Sequence, residues 1–369
     1  MKTLSLSPAR RRMGGDVLTR LIAGCVLVRR MMAIITMAAL YSVLSIAPVS
    51  SETPASPVPE SLKAQFRRPS EIPFPASNPY NSQKAALGKA LFFDPRLSAT
   101  QNMNCASCHN PSFGWQVPLK RAIGASNTVL ARSAPTILNQ AWGGEHYFWD
   151  GRASSLEDQV KGPIESSDEM NMPLPELVKR LTNIPGYKKW FETVFPDEGV
   201  SSASIAKALA TFERTVVTGF APFDAWISGD EAAISQSAKR GFVLFNGKAK
   251  CAVCHTGWNF TDHLFHDTGL PSDDIGRGRI EPANGMAMHA FKTSSLRDIT
   301  KRAPYMHDGS LPTLRAVVSH YIFGGVARPS LSPKLPRADL ETTEIDDILA
   351  FLETLTGIKQ VIALPVLPN

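Results

Sequence analysis

The chain has 369 residues, 43% of them hydrophobic, and a formal net charge of +6, which is enough for two compact units with cores of their own. Residues 1–47 hold Lys2, Arg10, Arg11, Arg12, Arg20, Arg29 and Arg30 against Asp16 alone. Removing those seven basic residues and one acidic residue from 39 and 33 leaves 32 of each sign, so the body of the chain has no nucleic-acid footprint.

Residues 1–47 read as an export signal, with a basic region ending at Arg29-Arg30, the apolar run Met31–Ala47 and then a polar, Pro-rich stretch. Cleavage is expected between 47 and 55, and the periplasm is the expected location. The apolar run is shorter than the roughly 20 residues of a spanning helix, which leaves an uncleaved anchor as the alternative to a cleaved signal, and no membrane span is expected in the mature chain. A Pro-rich N-terminal segment fills 48–80. Leu87-Gly88-Lys89-Ala90-Leu91-Phe92-Phe93 and Lys239-Arg240-Gly241-Phe242-Val243-Leu244-Phe245 each read as a short amphipathic helix leading into a cysteine pair. This repetition is internal duplication of one small unit and divides the rest into domains 81–225 and 226–369. Ile205, Leu209, Phe212 and Val216 recur at helical spacing, as do Ile345, Ile348, Leu349, Leu352 and Leu355. The second run opens at a capping box, Thr343-x-x-Asp346, and stops at Gly357.

Cys25 lies in the leader, and the other cysteines form Cys105-Ala106-Ser107-Cys108-His109 and Cys251-Ala252-Val253-Cys254-His255. Four unprotected thiols in an oxidising compartment need an occupant. In Cys-x-x-Cys-His the two thiols bond to the haem vinyl groups and the adjacent His ligates iron. A four-cysteine zinc site is disfavoured by the separation of the pairs, and a redox dithiol by the lack of a surrounding βαβ pattern. Two covalently bound c-type haems are therefore expected, with His109 and His255 as iron ligands. No run of alternating strands appears, and Pro- and Gly-rich loops separate the helices. The expected fold is all-α, with two cytochrome c-like haem domains and long loops.

Phe148-Trp149-Asp150-Gly151-Arg152, followed by Gln159, Pro163, Glu169 and Met170, resembles the diheme bacterial cytochrome c peroxidase and MauG family. The resemblance continues through Phe92-Phe93-Asp94-Pro95-Arg96-Leu97-Ser98, Ser295-Leu296-Arg297-Asp298 and Ala303-Pro304-Tyr305-Met306-His307-Asp308-Gly309. It spans roughly Asn81 to Gly357. It implies Glu169 as the acid/base in peroxide cleavage, Gln159 as hydrogen-bonding partner of the distal ligand, and Trp149 as relay between the haems. Arg152 and Arg297 would pair with haem propionates.

Two positions separate branches of the family. The slot for a capping His on the first haem falls on Ala125, which cannot ligate iron, so that haem is expected to be open. The slot for the second haem's distal ligand falls on Tyr321, the MauG-like pattern; a phenolate lowers the reduction potential. The family's calcium ion would need Ser133 and the carbonyls of Arg302 and Pro304; a neutral Ser beside an Arg is a poor shell, so calcium is doubtful. His146, His263, His266 and His289 receive no role.

The expected function is a periplasmic diheme oxidoreductase of haem peroxidase type. It would use hydrogen peroxide to reach a high-valent diheme state and oxidise a protein partner, as in maturation of a tryptophan-derived quinone cofactor. The alternatives are a cytochrome c peroxidase fed by a small cytochrome or cupredoxin, and a non-catalytic diheme electron carrier.

Overall fold

A computed structural model describes residues 55–335, 337–358 and 360–369; the expected export signal lies outside the described residues. Helices dominate: α1 (Glu60–Ala64), α2 (Ser82–Phe92), α3 (Cys105–Cys108), α4 (Leu156–Gln159), α5 (Lys161–Glu165), α6 (Leu174–Thr182), α7 (Pro185–Val194), α8 (Ser202–Arg214), α9 (Pro222–Ile227), α10 (Gln236–Asn246), α11 (Leu314–Phe323) and α12 (Thr342–Glu353). The one named sheet among the described residues is a two-stranded antiparallel ladder of β1 (Phe265–His266) and β2 (Phe291–Lys292), pairing Phe265 with Lys292. The protein is thus helix-rich with a small sheet, a slight departure from the all-α expectation.

Caps fix the helix starts. The Asn81 side chain accepts from the Lys84 amide ahead of α2, and Ser201 and Ser204 cap α8 reciprocally. Helix α12 is capped by Glu341 and Glu344, its side chain accepting from the Glu341 amide at 2.8 Å. The box at Thr343 and Asp346 is therefore displaced to an earlier pair, because a Glu at the third position reaches back where Asp is too short.

Each half is built on one helix crossing. A Cβ placed on Gly88 of α2 would lie 1.9 Å from the Ala208 carbonyl oxygen of α8, and one on Gly241 of α10 would lie 1.9 Å from the Asp347 carbonyl oxygen of α12. Only glycine permits backbones to approach so closely. Around the first crossing, Leu87, Leu91, Phe92, Leu209 and Phe212 form a core with Leu177, Leu181 and Phe191 from α6 and α7. Around the second, Phe223, Phe242, Phe245, Phe260 and Phe351 form an aromatic cluster with neighbouring ring centroids 5.1 to 6.0 Å apart.

The chain ends cross over between these cores. Phe66, from the Pro-rich N-terminal segment, is 1% exposed and packs in the second core, its ring 5.2 Å from Phe242 and 5.1 Å from Phe260. The C-terminal tail returns to the first core, where Ile362 and Leu367 pack. Arg96 donates to the Pro368 carbonyl and the Gly186 amide to that of Asn369, both at 2.9 Å. Among the described residues no helix is long and apolar enough to cross a membrane.

Candidate active site: two cavities and their shared wall

Each Cys-x-x-Cys-His motif closes into one turn, with the His109 amide donating to the Cys105 carbonyl and the His255 amide to that of Cys251, both at 2.9 Å. Nδ1 of His109 lies 3.3 Å from the Trp115 carbonyl oxygen, and Nδ1 of His255 lies 3.0 Å from that of Phe260. Donation from Nδ1 fixes the tautomer and leaves Nε2 as the metal-binding nitrogen. Burial holds both imidazoles below the usual histidine range, so they stay neutral. The four motif cysteines form no disulfide, and burial pushes three of the thiols up, those of Cys105, Cys108 to about 11 and Cys251 to about 12. An uncharged thioether suits such walls better than a thiolate.

These groups face two cavities. The first, about 570 Å³, is lined by Cys108, His109, Trp149, Arg152, Gln159 and Glu169, and a pocket of about 50 Å³ carries the wall on to Cys105. The second, about 210 Å³, is lined by Cys251, Cys254, His255, Tyr321, Leu314 and Val317. Two sulfurs and one neutral imidazole beside an apolar cavity are the donors a covalent haem requires, so the residues fit that group at both places.

Trp149 lines both cavities and donates from Nε1 to the Ser133 carbonyl at 2.9 Å. Its neighbour Asp150 accepts from Arg132 at 2.7 Å and Arg152 at 2.9 Å, and Arg132 also pairs with Asp274 at 2.6 Å. Burial pushes the Glu169 carboxyl up against the opposing pull of Arg152, which favours a protonated acid able to give a proton. Ala125 is buried and donates its amide to the Glu169 carbonyl at 2.7 Å, so the position expected to lack an iron ligand packs on the acid-bearing loop. Tyr321 faces the second cavity with its phenol pushed up by burial, whereas His320 is held by the Thr268 carbonyl at 2.9 Å and does not line the cavity.

Arg297 is partly occupied, with its Nη2 left buried and without a partner. It lines neither cavity and is 1% exposed, donating to the Asp224 carboxylate at 2.8 Å and the Trp258 carbonyl at 2.7 Å. A buried guanidinium takes the nearest buried carboxylate, since leaving either charge alone is costly. Arg152 does line the first cavity, although its side chain is 43% exposed and its guanidinium sits on Asp150 and over the Phe148 ring at 3.6 Å.

The residues do not fit calcium. Ser133 donates its hydroxyl to the carbonyls of Met306 and His307 at 3.0 and 3.2 Å, and the Arg302 carbonyl already accepts from the Gln116 amide at 2.9 Å. The Arg302 guanidinium is itself buried, with Nε unpartnered, and the set offers none of the anionic oxygens that the ion would need.

Two lining residues escaped the sequence reading. Glu213, at the end of α8, is 6% exposed and borders the first cavity, and burial raises its carboxyl to about 8. It lies four residues after Leu209 on the apolar stripe, a signal that was available. Lys292 of β2 lines both cavities. Cys254, Asp262 and His266 lie close enough to hold a metal ion, but Cys254 belongs to the haem motif and His266 is occupied by Asp262 at 2.8 Å.

A family model described as di-haem cytochrome c peroxidase matches residues 82–232. The chain is 52% identical over 311 residues to the methylamine utilization protein MauG of Methylorubrum extorquens, covering 84% of this chain and 88% of that protein. It is 47% identical to the MauG of Methylophilus methylotrophus, covering 83% and 92%. Among solved structures, a MauG-like protein associated with microbial copper homeostasis superposes with a TM-score of 0.73 at 31% identity, covering 79% of this chain and 95% of that one.

Proposed function

Because the chain belongs to the di-haem cytochrome c peroxidase and MauG family, binds two c-type haems covalently and is a haem peroxidase-type oxidoreductase, we propose that it spends hydrogen peroxide on oxidising a partner protein in the periplasm. The haems, when bound, supply the iron at which peroxide is reduced and the site where oxidising equivalents are held. Residues 81–225 are the peroxidatic domain and 226–369 the electron-transfer domain. Cys105 and Cys108 anchor the first haem and His109 ligates it; Cys251, Cys254 and His255 serve the second. Arg152 and Arg297 are the propionate-pairing candidates, Arg297 the weaker because Asp224 already holds it.

Glu169 would carry a proton from one peroxide oxygen to the other, and Gln159 would orient the peroxide by hydrogen bonding. Trp149 passes charge through the wall common to both cavities. Tyr321 would hold the second haem through its phenolic oxygen, a hard donor that lowers a reduction potential; burial pushes that phenol up. Per turnover, one peroxide and two protons take two electrons from the partner and leave two waters. Two relatives are named for methylamine utilization, so the partner class is a precursor protein whose tryptophans become a quinone cofactor.

One observation carries this reading: Trp149 lines both cavities, with Glu169 and Gln159 on one side and Tyr321 on the other. Spectroscopy of the ferric protein before and after one equivalent of peroxide tests it. One high-spin and one low-spin haem, jointly giving a long-lived oxidised species, is the expected result. Two low-spin haems indifferent to peroxide would refute it.

A further inference from the structure

The wall between the cavities contains a cation with no role so far. The Lys292 ammonium donates to the Gly143 carbonyl at 2.5 Å and to the His146 carbonyl, and its backbone amide donates to the Trp149 carbonyl at 2.8 Å. One residue thus ties down both ends of the loop 143–149 that presents Trp149. Its Nζ lies 5.3 Å from the Tyr147 ring centroid. Burial pushes the ammonium down to about 8, and both of its hydrogen bonds go to carbonyls rather than to a carboxylate. His263, on the first cavity, feels it: burial and then Lys292 hold its imidazole down near 4.

We propose that Lys292 is a positioning residue for charge passage between the haems, acting as a fixed positive charge in their common wall and as the clamp on the Trp149 loop. A lysine used only as a clamp could be replaced by any donor, and a charge used only for solubility would be at the surface. Here an ammonium held by two carbonyls, with no carboxylate partner, belongs to a residue that borders both cavities, where low polarity lets its field reach each haem. A nearby cation favours the reduced form of an iron site, so it raises both potentials. It also disfavours a positive charge resting on Trp149, which keeps that indole a relay and leaves oxidising equivalents on the haems.

The inference rests on the two-haem reading and not on the peroxide reaction. The experiment is a redox titration of the haem-loaded protein without peroxide at pH 7, where the ammonium is charged, following each haem by its own absorption bands. The forms compared are wild type, Lys292→Met, Lys292→Gln and Lys292→Arg, with haem content measured first. Loss of the charge should shift both haems to more negative potential, lowering the ferrous-to-ferric ratio at fixed poise on the order of tenfold, and Lys292→Arg should restore wild-type values. Unchanged potentials in Met and Gln variants would overturn the proposal. So would an equal shift in the Arg variant, which would assign the effect to loop packing, or a shift confined to one haem. Should Lys292→Met load haem poorly, the Arg and Gln pair decides the question alone. Failure of the wild type to react with peroxide would count against the proposed function and leave this test intact.

Discussion

The two halves share a foundation and differ in what they place above it. Gly88 against Ala208 and Gly241 against Asp347 are the same helix crossing, down to the Phe side chain, Phe212 or Phe351, that meets the glycine next. Both histidines hold a backbone carbonyl through Nδ1. Beyond the iron positions the likeness ends. The first cavity is larger and carries the acids Glu169 and Glu213, whereas the second is smaller and is faced by Tyr321. A duplicated unit can therefore keep its cofactor scaffold while its open face is rewritten, because scaffold and open face come from different segments of chain.

The largest expected effect tests the shared foundation. Gly88→Val and Gly241→Val should each cost about 3 kcal/mol or more of stability, since the added atoms meet backbone that cannot move aside. Thermal unfolding of the two variants should show equal damage, and a mild effect in either would break the parallel. Next comes the open face of the first half. Glu169→Gln should slow the reaction with peroxide by roughly 10²- to 10⁴-fold in stopped-flow absorbance, without altering the spectrum of the second haem. Tyr321→Phe is the mirror experiment: the second haem's ferric spectrum should change and the first haem's spin state should not. A change in both would mean that the halves are less separable than the cavities imply.

The smallest effect concerns Glu213. Burial lifts its carboxyl from 4.5 to about 8, so between those values the folded state keeps a proton that the unfolded chain has released. Stability then falls as pH rises through the window. Glu213→Gln should flatten the fall, read as a smaller difference in Tm between pH 5 and pH 8.

Much of this arrangement could be read from residue order. The Cys-x-x-Cys-His turns announce themselves by their spacing, whereas Trp149, Gln159 and Glu169 were legible through the resemblance carried by the short segment 148–170, which the structure brings to one cavity. Arg297 was harder to place, because its partner Asp224 is 73 residues away and no local pattern announces a buried ion pair. Lys292 was invisible for a related reason: its meaning depends on a loop brought beside it by a two-residue strand. Phe66 looked like part of a Pro-rich lead-in, yet eight aromatic rings, its own included, fill the second core. Packing at that distance is decided by shape in three dimensions.

The crossing of the chain ends has a mechanical consequence. With Phe66 seated in one half and Pro368 and Asn369 fastened to the other, the halves are laced together by strands running in both directions. A hinge between them would have to strip one lacing from its seat, so the wall that holds Trp149 is braced by packing and hydrogen bonds at both ends of the chain. The same lacing means that neither half, cut out at position 225, takes a finished hydrophobic core with it: each leaves a plug behind in the other.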